Sequence, residues 1–151
     1  MSKSSFVYVT YIRTTPEKLW TALTDAECNR KYWFGGYQDS DFKAGSPWKI
    51  VMPDGKITDS GSVLESDPPR RLVLKWRNEF MPELKAEGYG RATFDIEQQD
   101  GSVKLTVLHE IDVPDSKLIK AVGGGWPKIL SGLKSLLETG EGLPRPVPKS
   151  Q

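Results

Sequence analysis

The chain has 151 residues and a formal net charge of +1, with 27% of its residues charged. A chain of this length fits one domain, which buries roughly 70% of the surface that its unfolded form exposes. The balanced charge shows no basic stripe and so excludes a dedicated nucleic-acid binder, and no apolar run approaches the roughly 20 residues of a membrane helix. A polar start without a signal-peptide pattern and a single cysteine predict a cytoplasmic protein without an internal disulfide.

The first elements are a strand and two short helices. Aromatic and β-branched residues alternate over residues 6–12, which predicts a strand. Thr-Thr-Pro-Glu at residues 14–17 then has the spacing of a capping box, with Thr14 as the cap. The same spacing recurs from Thr24, which predicts a second helix over about residues 25–33.

From Tyr37 to Ile111 the pattern changes to hairpins. Asp-Gly pairs at 54–55 and 100–101 favour tight turns. Each strand has one apolar and one polar face, as an antiparallel sheet with one solvated face requires. The residues predicted to face inward are Trp48, Ile50 and Met52; Leu72, Leu74 and Trp76; Ala92, Phe94 and Ile96; and Val103, Leu105, Val107, His109 and Ile111.

A long helical pattern closes the chain. It starts at residues 114–116 and continues to Glu138, with apolar residues three and four apart in its second half. Glycines 123–125 and Pro127 lie inside it, and we expect them to break or kink the helix. We therefore divide the chain into one domain, residues 5–139, and an extended tail without regular structure, residues 140–151.

This order of elements predicts an α+β fold. About six to seven antiparallel strands form a curved sheet around the long C-terminal helix, and two short helices follow the first strand. A sheet covered by a single helix leaves a space between the two layers. The function then depends on whether this space holds a ligand or only side chains of the core.

Five segments carry a resemblance to a known family. They are residues 15–25, Tyr32-Trp33-Phe34, residues 67–72, residues 105–110 and residues 125–137. On these segments the chain resembles the START-like (SRPBCC) superfamily, whose fold is called helix-grip. Within that superfamily it is similar to the group of activator of heat-shock protein 90 ATPase homologues, the AHSA-type domains.

The resemblance implies several activities. Members of the superfamily bind lipids, hormones and other apolar molecules, and some are cyclases or other enzymes. Chaperone activation belongs to members that join this domain to a second, chaperone-binding domain, for which we expect no room in this chain.

The inward aromatic residues are the candidate ligand-binding site. The chain has five tryptophans and one histidine. Aromatic walls suit a flat, apolar ligand, although buried tryptophans also fill ordinary cores. The predicted ligand-binding residues are Trp33, Trp48, Trp76, Phe94, His109 and Trp126.

His109 is open to two interpretations. It is a general acid or base with a pKa near neutrality, or a buried side chain held by one hydrogen bond. The sequence has no phosphate loop, no Gly-x-Ser-x-Gly elbow and no metal-ligand spacing, so we expect no cofactor, no metal and no assigned catalytic residue.

Three functions therefore stay open. The first is binding of a small hydrophobic or aromatic ligand. The second is an interaction protein that stimulates a chaperone ATPase, and the third is a cyclase- or hydrolase-like enzyme that uses His109. The oligomeric state is not predicted.

Overall fold

Seven antiparallel strands form a single sheet in the order β1-β7-β6-β5-β4-β3-β2. The computed structural model describes residues 3–143. The strands are β1 (Ser4–Ile12), β2 (Tyr37–Asp39), β3 (Pro47–Val51), β4 (Ile57–Asp67), β5 (Arg71–Asn78), β6 (Gly90–Gln99) and β7 (Ser102–Ile111). The helices are α1 (Pro16–Thr24), α2 (Ala26–Tyr32), α3 (Pro82–Lys85) and α4 (Lys117–Thr139). The predicted α+β helix-grip fold is confirmed.

The strands are placed by their alternating patterns. In β1 the exposed and less exposed side chains alternate along the whole strand, and in β7 every second residue is buried. The two strands pair along their full length, from Ser4 opposite Ile111 to Ile12 opposite Val103. The first strand of the chain therefore lies beside the last one, and their inward faces support α4.

Both early helices begin one residue later than the capping-box spacing predicted. The cap of α1 is Thr15, whose hydroxyl accepts a hydrogen bond from the Lys18 amide at 3.2 Å. The cap of α2 is Asp25, whose carboxylate accepts from the Cys28 amide at 3.1 Å. In each case two adjacent residues are good caps, and the second one occupies the position from which its oxygen reaches the free amide.

The last helix does not break at the glycines, so of the predicted break or kink the break is wrong and the kink stays a prediction. α4 is continuous over 23 residues, and Gly123, Gly124, Gly125 and Pro127 all lie inside it. Buried side chains hold the helix on both sides of the glycines: Leu118 and Ile119 before them, and Trp126, Ile129, Leu130 and Leu133 after them. Burial of each apolar side chain contributes about 1.5–3 kcal/mol, so these six together outweigh the roughly 1 kcal/mol that each glycine costs and the roughly 3 kcal/mol that Pro127 costs.

The amino end of α4 is also fixed by polar contacts. Ser116 caps the helix, and its hydroxyl accepts from the Ile119 amide at 3.1 Å. The carboxylate of Glu87 accepts hydrogen bonds from the Ser116 hydroxyl at 2.6 Å and from the Lys117 amide at 2.8 Å. The negative charge of this carboxylate also interacts favourably with the positive end of the helix dipole.

The predicted tail falls largely outside the described residues. Residues 144–151 are not described, and the division at residue 139 stays a prediction. Gly140 ends α4 in the left-handed conformation, with φ of 89°. Within residues 3–143, no helix is long and apolar enough to cross a membrane.

Candidate functional site

The six predicted ligand-binding residues lie together between the sheet and α4. Trp48, Trp76, Phe94 and His109 project from four strands, while Trp33 ends α2 and Trp126 belongs to α4. Each of the six is at most 5% exposed. We call this set of six residues the aromatic cluster.

Trp126 is the centre of the aromatic cluster. Its ring centroid lies 5.6 Å from Trp33 and from Trp76, and 5.7 Å from Phe94. The planes meet at 63° to 79°, so the rings pack edge to face. This arrangement stabilises aromatic pairs by about 0.5–1.5 kcal/mol beyond the burial of their surface. One helical side chain thus connects α2 with the middle of the sheet.

A glycine in β4 lies between two of the tryptophans in the sheet. Gly61 pairs with Trp48 on one side and with Trp76 on the other. The centroids of the two tryptophan rings lie 4.5 Å apart. A Cβ atom at this position would lie 1.8 Å from the Lys75 carbonyl oxygen, so no other residue fits the observed backbone.

His109 forms one hydrogen bond inside the aromatic cluster. The Trp126 indole Nε1–H donates to His109 Nδ1 at 3.1 Å. Burial lowers the pKa of His109 to about 4, so the imidazole is neutral at pH 7. Its other nitrogen, Nε2, is fully buried and has no hydrogen-bond partner among residues 3–143.

Asp59 belongs to the same layer and was missed in the sequence. Its carboxylate accepts a hydrogen bond from the Trp76 indole N–H at 2.7 Å, and burial raises the pKa of this carboxyl group. Asp59 pairs with Ile50, which places it on the inward face. The available signal was its spacing of four residues before the buried Val63.

Two buried amides hold the edge of the site. The Gln38 side chain accepts from the Trp48 indole N–H at 3.0 Å and donates to the Leu23 carbonyl at 2.7 Å. The Asn29 side chain donates to the Ala22 carbonyl at 3.0 Å and accepts from the backbone N–H of Gln38 at 2.9 Å. This network ties β2 and Trp48 to the end of α1. No hydrophobic periodicity marks either amide.

The larger surface hollows lie away from most of the aromatic cluster. Among the hollows on the surface formed by residues 3–143, five have volumes of about 260 to 530 Å³. Trp48 lines one of these five, together with polar residues such as Lys49 and Ser60, and the other five members of the aromatic cluster line none of them. Within the same residues no group of three His, Cys, Asp or Glu side chains is arranged to hold a metal ion.

The fold and this buried layer define a START-like helix-grip domain. The family model for the "activator of Hsp90 ATPase homolog 1-like protein" matches residues 13–138. The chain therefore belongs to the AHSA1 family, and the predicted resemblance is confirmed. No curated protein matches the chain in sequence.

Solved structures share the fold at low identity. Protein MLL2253 from Mesorhizobium loti is 23% identical, with a TM-score of 0.76 over 89% of this chain and 96% of that one. The Aha1 dimer from Colwellia psychrerythraea is 19% identical, with a TM-score of 0.73 over 92% and 99%. PFC0360w, an HSP90 activator from Plasmodium falciparum, is 22% identical, with a TM-score of 0.71 over 88% and 95%.

Proposed function

We propose that this protein binds a small apolar or aromatic molecule in the layer between the sheet and α4, in the cytoplasm as its sequence predicts. The observation that carries the proposal is the composition of this layer. Four tryptophans and a phenylalanine surround a neutral histidine whose buried Nε2 has no hydrogen-bond partner among residues 3–143. A buried polar atom without a hydrogen bond costs about 1–3 kcal/mol of stability. A layer that served only to pack the core would be more stable with an apolar side chain in place of the histidine.

Entry of a ligand requires the rings to separate, and α4 offers a place for this. Trp126 directly follows three glycines, each of which weakens a helix by about 1 kcal/mol relative to alanine. Pro127 has no N–H and leaves the Gly123 carbonyl without its helical donor. A Cβ atom at Gly124 or Gly125 would meet nothing within 4 Å, so packing does not require glycine at these positions. The helix is therefore weakest next to the central ring.

Titration of naphthalene and its derivatives, followed by tryptophan fluorescence, tests the proposal. We expect saturable quenching in the wild type and at least about tenfold weaker binding in Trp126→Leu, which equals a loss of about 1.4 kcal/mol. Trp20→Leu is the matched control, because Trp20 is only partly buried on α1 and is outside the aromatic cluster. Equal binding by the wild type and the Trp126 variant would contradict the proposal.

A second candidate is the stimulation of a chaperone ATPase through the surface. It is supported by the family membership and by the outward face of β1. Val7, Val9 and Tyr11 alternate along this strand and are 45% to 55% exposed. An exposed apolar row on an edge strand suits contact with another protein.

An ATPase assay with a purified heat-shock protein 90 chaperone tests this candidate. We expect the turnover rate to rise with added wild-type protein and to rise less with the Val9→Lys variant. Ser5→Lys, at an exposed position nearer the start of the strand, is the control. An unchanged turnover rate at saturating protein excludes this activity.

We do not propose the enzyme alternative. Among the described residues no carboxylate forms a hydrogen bond with His109, and its Nδ1 is already occupied by Trp126. A general base needs a partner that orients it and a nitrogen free to accept a proton.

A further inference from the structure

We infer that the ligand carries a neutral carbonyl oxygen, which accepts a hydrogen bond from Nε2–H of His109. The inference rests on the proposed function and specifies the chemistry of the molecule bound there. It is argued from the protonation state of the histidine and from the groups around it.

The proton on His109 is located by its neighbour. An indole N–H can only donate, so His109 Nδ1, which lies 3.1 Å from Trp126 Nε1, must present its lone pair. Because burial keeps the imidazole neutral, its single proton is on Nε2. The buried nitrogen is therefore a donor, and it selects a ligand atom that accepts.

The surroundings of His109 favour a neutral acceptor. Its cross-strand partners are Ala92 on β6 and Phe6 on β1, and the Trp76 ring lies edge-on, 5.0 Å away between centroids. The same inward face holds the carboxyl group of Asp59, whereas the nearby cations Lys75 and Arg91 alternate to the opposite face. An anionic oxygen would lose its hydration and gain only one neutral donor, which makes its burial costly.

The same surroundings favour an acceptor attached to a flat ring. Because the Ala92 side chain is small, the faces and edges of the Trp76 and Trp126 rings form most of the surface beside His109. Edge-to-face packing with these rings needs an aromatic body. The predicted ligand class is therefore an aromatic ketone, aldehyde, ester or amide.

Two probes of nearly equal shape test the inference. 2-Acetylnaphthalene has a carbonyl oxygen where 2-isopropenylnaphthalene has a methylene group. We expect the wild type to bind the ketone about 3- to 10-fold more tightly by calorimetry, the net value of one hydrogen bond. We expect His109→Leu to bind the two compounds with equal affinity, so that the preference for the ketone is lost.

Nuclear magnetic resonance of the wild type gives a second readout that needs no variant. Both probes shift the Nε2–H proton of His109 through the ring current of the naphthalene, and the ketone should move it further downfield than the alkene does. This measurement applies even if His109→Leu does not fold.

The possible outcomes separate the two proposals. If neither compound binds, the proposed function fails and this inference with it. If both compounds bind with equal affinity, ligand binding stands and the inference is overturned. The same holds if the ketone gives the Nε2–H proton no downfield shift of its own, because a buried water already accepts that proton. A ketone preference that persists in His109→Leu also overturns it.

Discussion

Replacement of Gly124 and Gly125 by alanine tests whether the weak centre of α4 is needed for packing. Both residues lie inside the helix, and an added Cβ atom at either would meet nothing within 4 Å. Alanine restricts the unfolded chain and favours the helix, so each change should stabilise the protein by about 1 kcal/mol. The sum of about 2 kcal/mol corresponds to a rise in Tm of about 4–8 °C for a domain of this size.

Equilibrium unfolding in urea, followed by circular dichroism, measures this gain. Gly140→Ala, at the cap that follows the same helix, is the matched control. Its φ of 89° belongs to the left-handed region, so the same substitution should lower the free energy of unfolding by about 1 kcal/mol. Hydrogen exchange should slow for amides between residues 118 and 130 in the double variant.

A folded double variant with no gain in stability would refute the reasoning, because it would mean that alanine is strained or that glycine contacts hold the helix. If the gain is found and ligand binding becomes slower, the glycines serve the separation of the rings. If the gain is found and the binding rates are unchanged, the helix does not need to loosen there.

Three further predictions concern buried or bound polar groups. The pKa of His109 is about 4 in the folded chain and 6.5 in the unfolded one, so only the unfolded chain binds a proton between these values. Stability is therefore full above pH 6.5 and falls as the pH drops, by roughly 3 kcal/mol between pH 7 and pH 4, and urea unfolding of His109→Leu should lack this decrease. Asp59→Asn keeps an acceptor for the Trp76 indole and removes a buried charge. Its free energy of unfolding should therefore exceed that of the wild type at pH 7, and by a smaller amount at pH 4. An equal difference at both pH values would contradict the raised pKa of Asp59. Glu87→Gln weakens the carboxylate contacts at the amino end of α4 and should lower the free energy of unfolding by about 1–2 kcal/mol. Hydrogen exchange at residues 117–119 should become faster. The control Glu83→Gln, exposed on α3, should change neither the stability nor the exchange.

Regular periodicity predicted most of the fold and the members of the aromatic cluster. Period two placed Trp48, Trp76, Phe94 and His109 on one face, and each of them is buried there. Such patterns predict the face on which a residue lies, because a shift of one residue reverses every side chain of a strand. They do not predict which rings touch, since that depends on the pairing of the strands and on the position of Trp126 in α4.

The errors come from competition between local and tertiary effects. Local helix propensity predicted a break at residues 123–125, and the buried residues on both sides of it outweighed that cost. The two helix starts were displaced because adjacent residues compete for the cap position. Asp59 was missed because the first half of β4 is mostly polar and shows no alternation.

The pairing of β1 with β7 has a consequence for synthesis of the protein. Ser4 finds its partner in Ile111, so the first strand leaves the ribosome long before the strand that it pairs with. Until then the alternating aromatic residues of β1 have no sheet to join, and the inward face of the other strands lacks one edge. Closure of such a distant contact is slow, and an unpaired apolar strand is prone to aggregate. We therefore expect the nascent chain to stay unfolded and prone to aggregation until β7 has been synthesised.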